Sequence, residues 1–429
     1  MVSQVNRWTL AAAAVLMQVC LGVLYSWSVF RGPLGQAYGW SKTVTLAPYR
    51  WSILSFTIAM VIAGFWQDKR GPRVVGSAGG ILLGAGCLLA ALIGDTPMGL
   101  NVAYGVVAGL GVGFAYVTPI ATCVKWFPDK RGFVVGLAVM GFGLGSLLFA
   151  PLLEALLGKD PAQFATTIPR TFLILSAIFF VVVIGCAQFY RVPPPGWKPE
   201  GWTPPAVASS ARRVDYAPSH MLRTWQFYLI WLVYFLATSV GLTAIGEAAP
   251  LVRETAGENA LLSAGAALGV MSLFNGAGRL AWGAFSDRVG RKGALIIMGG
   301  ITILTCALVL PDATSFERVL GGICLIGFCY GGYLAIMPSL TADYYGSKNI
   351  GANYGIVFSA WGAAGFVIPG YFAPIIESAK QSGQVASGYN QMFYSLAGIA
   401  LAGALLASLA SRPEQDSKDP VGEARRATA

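Results

Sequence analysis

Apolar stretches of about 20 residues recur along the whole chain, and they restrict its fold more than any other feature. A helix of that length rises by about 30 Å, which is the thickness of the hydrocarbon core of a bilayer. Only 11% of the 429 residues are charged, whereas soluble domains have about 25%. The sequence contains about twelve such stretches, and we therefore predict an all-α membrane protein with about twelve transmembrane helices.

The positive charges indicate how the chain is oriented. The net charge is +10, but Lys and Arg lie in the short connections between apolar stretches, which argues against nucleic-acid binding. If both termini lie on one side, twenty Lys and Arg residues fall on that side and eight on the other. Because positive residues concentrate on the cytoplasmic side, we expect both termini to be cytoplasmic and the protein to lie in the plasma membrane, or the inner membrane of a bacterium.

The two halves of the chain are related in sequence. Six residues recur as the same type 219 positions later, namely Gly64, Asp68, Gly71, Gly113, Pro119 and Gly136. Parallel repeats of this kind are typical of carriers in which two bundles enclose a site at the membrane midplane. The sequence therefore predicts a six-helix bundle over residues 1–190, a cytoplasmic linker over 191–223, a second six-helix bundle over 224–411 and a disordered cytoplasmic tail over 412–429.

The connections after the second and eighth apolar stretches share one pattern. The first reads GFWQDKRGPR over residues 64–73, and the second reads GAFSDRVGRK over residues 283–292. Both resemble the cytoplasmic signature of the major facilitator superfamily. In this pattern Gly lets two helices approach, and Asp can cap or pair with a neighbouring helix end. The resemblance implies gating or structural roles for Asp68, Arg70, Arg73, Asp287, Arg288 and Arg291.

The link between the fourth and fifth apolar stretches resembles that of particular groups within the superfamily. It reads WFPDKRG over residues 126–132 and is similar to the link of bacterial monocarboxylate (lactate) transporters and of the oxalate:formate antiporter group. The segments GVLYSW over residues 22–27 and FNGAGR over residues 274–279 are similar to the same groups. The resemblance covers nearly the whole chain and implies transport of a small organic anion.

Arg279 is the basic residue that the sequence places deep inside a span, about seven residues or 10 Å from the cytoplasmic helix end. An Arg at mid-membrane costs about 3 to more than 10 kcal/mol unless it faces a polar cavity and an anionic partner. The sequence offers no carboxylate at comparable depth. We therefore predict that Arg279 binds the carboxylate of the substrate through two parallel hydrogen bonds. The alternative is a structural Arg held by backbone carbonyls or by a Glu at the outer end.

Other side chains at similar depth complete the predicted substrate site. Asn275 lies one helical turn before Arg279, so its amide either binds the substrate or bonds to a neighbouring helix. Tyrosines join a hydroxyl to an apolar ring, which suits a ligand with one polar and one hydrocarbon end. The remaining predicted members of the site are Tyr25, Tyr116, Tyr330, Leu24, Phe142, Leu144, Ser359 and Trp361.

This chain departs from these transporter groups at two points that affect which substrate we expect. Oxalate transporters carry a second cation at the position of Trp361, so a single buried Arg favours a ligand with one negative charge. Many monocarboxylate carriers place an Asp at the position of Asn275 and a Lys in the first span, and this chain has neither. The residue that would carry a proton is therefore not assigned by the resemblance.

We thus predict a secondary active transporter of small monocarboxylates, specifically proton-coupled L-lactate symport by alternating access. Co-transport of a proton cancels the charge of an anion, which otherwise opposes the membrane potential by about 2.3 kcal/mol per 100 mV. Pyruvate and other monocarboxylates are further possible cargoes. An organic-anion antiporter of the oxalate:formate type is the second hypothesis, and a membrane sensor without transport is the third. We expect a monomer that is not an enzyme, with no cofactor, no metal and no nucleic-acid partner.

Overall fold

The computed structural model describes residues 6–158, 160–194, 196–202, 215–256, 260–313 and 315–413. Part of the predicted linker and nearly all of the predicted disordered tail lie outside these residues. Within them, eleven helical segments are long and apolar enough to cross a membrane. The helix Ala260–Val289 is a twelfth long helix. The structure therefore confirms the predicted all-α membrane fold.

Eight α-helices precede the linker in the described part of the chain. Helix α1 continues through a 3₁₀ turn, Gly22–Ser26, into α2, and α5 continues through a π-helical segment, Asn101–Ala108, into α6. The eight helices are α1 (Arg7–Leu21), α2 (Trp27–Tyr38), α3 (Lys42–Arg70), α4 (Pro72–Ile93), α5 (Pro97–Leu100), α6 (Gly109–Trp126), α7 (Arg131–Leu157) and α8 (Phe164–Ala187).

Seven α-helices follow over the described residues of the second half. The first is a single turn, and the fourth continues into a π-helical segment, Thr305–Val309. The seven helices are α9 (Pro218–Met221), α10 (Trp225–Ala256), α11 (Ala260–Val289), α12 (Arg291–Leu304), α13 (Phe316–Tyr345), α14 (Ile350–Gln381) and α15 (Val385–Ser408).

Both signature connections are turns of one residue. Gly71 joins α3 to α4 with φ +86°, and Gly290 joins α11 to α12 with the same φ. A side chain would strain the backbone at this positive φ, whereas glycine adopts it readily. The sequence repeat thus corresponds to a repeat in backbone conformation. We call the end of the molecule that carries these two turns the signature-loop end.

The two bundles contact each other near the signature-loop end through two equivalent pairs of helices, α3 with α14 and α7 with α11. A Cβ added to Gly64 would overlap the carbonyl group of Gly351, and one added to Gly283 would overlap the carbonyl group of Gly132. These four positions are related by the 219-residue repeat, because Gly64 corresponds to Gly283 and Gly132 to Gly351. Glycine at both crossings allows the backbones to touch.

A second pair of close contacts lies one helical turn deeper. A Cβ added to Gly355 would lie 2.6 Å from the carbonyl oxygen of Met60, and one added to Gly136 would overlap the carbonyl oxygen of Arg279. Met60 and Arg279 are also 219 positions apart. The backbone contacts between the bundles therefore follow a pseudo-twofold axis that passes close to the predicted substrate site.

Candidate functional site

Arg279 lies in α11, ten residues before the helix ends at Val289. Its depth is therefore about 15 Å rather than the expected 10 Å, because the helix continues beyond the apolar stretch that the sequence delimits. The side chain is fully buried, at 0% exposure. The guanidinium carbon lies 5.8 Å from the ring centre of Phe142, a distance at which a cation is attracted to an aromatic face.

The guanidinium connects the two bundles. Nε of Arg279 donates to Oδ1 of Asn275 at 3.0 Å, and Nη1 donates to the carbonyl of Val139 in α7 at 2.7 Å. Nη2 forms no hydrogen bond within the described residues, although the hydroxyls of Tyr25 and Tyr116 are close enough to interact with the cation. No carboxylate of the described chain pairs with it. Backbone and amide oxygens therefore solvate this cation without neutralising it.

Asn275 holds Arg279 in place. Its Oδ1 accepts from Arg279, while its Nδ2 donates to the carbonyl of Gly327 in α13 at 3.1 Å. The amide therefore bonds to a neighbouring helix, which is one of the two roles that the sequence allowed. Because both ends of the amide are engaged, Asn275 fixes the direction of the guanidinium fork.

Aromatic side chains surround the buried cation. The ring of Phe142 meets Tyr25 and Tyr116 edge-on, with centroid distances of 4.9 and 5.4 Å. On the opposite bundle, Nε1 of Trp361 donates to the hydroxyl of Tyr330 at 2.7 Å. The structure thus brings these five predicted residues together around one site. Their rings exclude bulk water, which strengthens the field of the cation.

The other three predicted residues lie at the margins of this site. Leu24 is buried next to Tyr25, and Leu144 is half-buried and faces Gly276 of α11. Ser359 accepts from Nε1 of Trp231 at 2.9 Å and donates to a carbonyl of its own helix. The hydroxyl of Ser359 is therefore directed toward α10.

Two aspartates cap helices of the opposite bundle at the signature-loop end. Asp68 accepts from the backbone N–H of Ala352 at 2.8 Å, near the start of α14, and pairs with Lys125 at 3.2 Å. Asp287 accepts from the backbone N–H of Phe133 at 2.9 Å, near the start of α7. The N-terminus of a helix carries a partial positive charge, so a carboxylate stabilises it. Both contacts hold the bundles together.

Ion pairs reinforce this closed end. Asp343 in α13 receives Arg131 of the first bundle at 2.7 Å and Arg291 of the second at 3.1 Å. Arg291 also pairs with Asp287 at 2.6 Å. The charged groups therefore form a continuous network that spans both bundles. Separation of the bundles at this end would break it.

The predicted loop residues differ in how they contribute. Three of them, Asp68, Asp287 and Arg291, contact the opposite bundle or belong to the ion-pair network. Arg70 and Arg288 are exposed. Arg73 donates to the carbonyl of Gln188 within the first bundle at 2.9 Å. Lys125 and Asp343 were not among the residues predicted from the sequence. Both are charged residues at the end of an apolar helix, which was the available signal.

A family model described as the Major Facilitator Superfamily matches residues 5–369. The chain belongs to the Major Facilitator Superfamily. Among relatives of this transporter, the uncharacterized MFS-type transporter YhjX of Escherichia coli K12 is 30% identical, with 84% of this chain and 86% of the relative covered. The oxalate:formate antiporter of Oxalobacter formigenes is 30% identical over 83% and 81% of the two chains. The apicoplast pyruvate carrier 1 of Toxoplasma gondii is 25% identical over the same shares.

Solved structures of the superfamily share this fold. The proton:xylose symporter XylE matches with a TM-score of 0.70 at 12% identity, over 93% of this chain and 94% of XylE. The human organic anion transporter MFSD10 matches with a TM-score of 0.69 at 16% identity, over 94% and 100% of the two chains. The family match and the apolar helices of the described residues together identify a multi-pass membrane transporter.

Proposed function

We propose that this transporter carries small monocarboxylates, and that it couples the uptake of L-lactate to a proton by alternating access. The observation that supports the proposal is the fully buried Arg279, whose charge lacks a carboxylate partner among the described residues. One guanidinium matches one carboxylate in charge and in geometry. A neutral sugar would leave the cation unneutralised, and a dianion would exceed it in charge.

The walls of the site favour a small cargo. Tyr25 and Tyr116 place phenol groups beside the guanidinium, and Phe142 lies between them. An α-hydroxyl next to a carboxylate would find hydrogen-bond partners in these phenols, while a methyl group would contact the rings. Two relatives are named for oxalate and formate and for pyruvate, which are also small carboxylates.

Anion exchange is the second candidate mechanism. The 30% identity to an antiporter supports it, as does the unneutralised charge of Arg279, because a cation without its anion would resist the change between conformations. Symport differs in its driving force. A proton that accompanies the anion removes the opposing work of about 2.3 kcal/mol per 100 mV of membrane potential.

Transport by the purified protein in proteoliposomes would test the proposal. We expect labelled L-lactate to enter by counterflow against unlabelled L-lactate, and unlabelled monocarboxylates to compete. An inward proton gradient should drive net accumulation. Net uptake that ignores the gradient would contradict symport and support exchange. Binding without counterflow would contradict transport and indicate a sensor, and preference for oxalate would contradict the monocarboxylate assignment.

Substitution of Arg279 tests the role of the guanidinium. Arg279→Lys keeps the positive charge but loses the two parallel donors of the planar guanidinium. We expect counterflow to fall about 100-fold, because about 3 kcal/mol of charge-assisted hydrogen bonding is lost. Arg279→Gln should abolish counterflow. Arg170→Gln, at an exposed position of α8, is the matched control and should transport normally. Normal transport by Arg279→Lys would indicate a purely structural Arg.

A further inference from the structure

A second group of hydroxyls lies close to Arg279 and has no role in the site described above. The ring of Phe358 in α14 contacts Tyr116, Tyr234 and Tyr354, with centroid distances of 5.5, 6.4 and 5.8 Å. Tyr234 belongs to α10 and Tyr354 to α14. The two are 0% and 1% exposed. We call Tyr234 and Tyr354 the inner tyrosine pair.

The hydroxyls of the inner tyrosine pair are not explained by packing. They approach each other and the phenol of Tyr116, and that of Tyr354 also lies within electrostatic range of Arg279. The two hydroxyls are close enough to bond to each other, but neither has another hydrogen-bond partner among the described residues. A buried polar group without such a partner costs about 1 to 3 kcal/mol, and Phe would fill the same ring volume without that cost. When one of the two hydroxyls donates to the other, the second hydroxyl still has a proton to donate, and a buried donor near Arg279 suits an anion.

Tyr354 lies on the signature-loop side of Trp361 in α14, and Tyr234 contacts the same phenylalanine ring from α10. Tyr354 is four residues from the start of α14 at Ile350, whereas Trp361 of the site is eleven residues from it. Near that start, Asp68 caps the helix from the opposite bundle. When the bundles separate at this end, an anion that leaves Arg279 toward it passes close to Tyr354.

We propose that Tyr234 and Tyr354 form a second, weaker binding station for the carboxylate of the cargo, between Arg279 and the signature-loop end. This inference rests on the proposed function. A phenol donates one hydrogen bond to a carboxylate and leaves its charge unneutralised, whereas a guanidinium donates two parallel bonds and neutralises the charge. The carboxylate thus passes from a strong site to a weak one before release. In the reverse direction, the pair binds the carboxylate before it reaches Arg279. A carrier needs binding that is strong enough for entry and weak enough for exit.

Exchange measured separately at the two faces tests the second station. L-Lactate exchange would be followed in right-side-out and inside-out membrane vesicles, with the opposite face saturated. A cysteine introduced at exposed Arg288 would identify the signature-loop face with an impermeant thiol reagent, because the seven native cysteines are buried. For Tyr354→Phe and Tyr234→Phe we expect the half-saturating concentration to rise about 10-fold at the signature-loop face. At the other face it should stay within about twofold.

A matched control separates this role from a structural one. Tyr190→Phe removes another buried hydroxyl, which faces the sulfur of Met17 at 3.8 Å, and should leave both faces unchanged. Thermal unfolding would verify that each isosteric variant is folded. Equal effects at both faces, an effect only at the far face, or no effect in either variant would overturn the second station. Failure of the wild-type protein to exchange any monocarboxylate would overturn the proposed function instead.

Discussion

Replacement of Asp287 by Asn should weaken the closed signature-loop end by about 2 kcal/mol. The carboxylate accepts from the backbone N–H groups of Gly132 and Phe133 at 3.0 and 2.9 Å, and it pairs with Arg291 at 2.6 Å. Asn retains one acceptor oxygen and the shape of the side chain. The substitution therefore removes one charge-assisted hydrogen bond and the negative charge at the start of α7.

The magnitude follows from these contacts. A hydrogen bond to a charged group contributes about 1.5 to 3 kcal/mol, and a charge at a helix N-terminus contributes about 0.3 to 1 kcal/mol. The ion pair adds little, because Arg291 keeps Asp343 as a partner. A net loss of about 2 kcal/mol would change the ratio of closed to open forms by about 30-fold, since about 1.4 kcal/mol corresponds to a factor of ten.

Distances between spin labels would measure this shift. Labels on cysteines introduced at Arg70 and Arg288 report the separation of the bundles, because both positions are exposed and lie on opposite bundles. Asp287→Asn should add a population with a longer distance. Asp95→Asn, at an exposed position outside the signature-loop end, should not. An unchanged distance distribution in Asp287→Asn would refute the reasoning that this carboxylate holds the end closed.

Three further substitutions have defined outcomes. Gly132→Ala should lower the melting temperature and favour the open form, because its Cβ would overlap the Gly283 carbonyl. Gly300→Ala is the control and should be neutral, because no atom lies within 4 Å of its added Cβ. Equal melting temperatures of the two variants would contradict this prediction. Asn275→Asp should neutralise the buried guanidinium and raise the KM for L-lactate. The KM should return toward the wild-type value as falling pH protonates the new carboxylate, and a KM independent of pH would be inconsistent with that pairing. Asp343→Asn should separate the spin labels as well, since two arginines lose their shared partner, and an unaltered label distance would exclude that role.

The helices could be predicted because their signals are local, and the repeat could be predicted because it is visible in the sequence itself. The length of each apolar stretch determines whether it spans a bilayer, and the Gly71 and Gly290 turns follow from residues that tolerate a positive φ. The 219-residue repeat then implies that the contacts of one half recur in the other. The prominence of Arg279 was also visible, since a cation within a long apolar stretch is costly wherever it lies.

The partners of Arg279 could not be predicted in the same way. Nη1 binds the carbonyl of Val139, and a backbone carbonyl leaves no trace in residue type. Asp343 is shared by cations from both bundles, an arrangement that depends on how three helices meet. The inner tyrosine pair becomes apparent only when Tyr234 and Tyr354, which are far apart in sequence, meet the same phenylalanine ring.

Met60 occupies in the first bundle the position that Arg279 occupies in the second, and both offer their carbonyls to a glycine of the other bundle. The backbone contacts between the bundles are thus duplicated, whereas the charge at this position is present once. In the proposed alternating access, duplicated contacts would let both halves rotate alike, and the single cation would give the cargo one defined orientation. Substitution of side chains near the axis can therefore change selectivity while the duplicated backbone contacts between the bundles are kept.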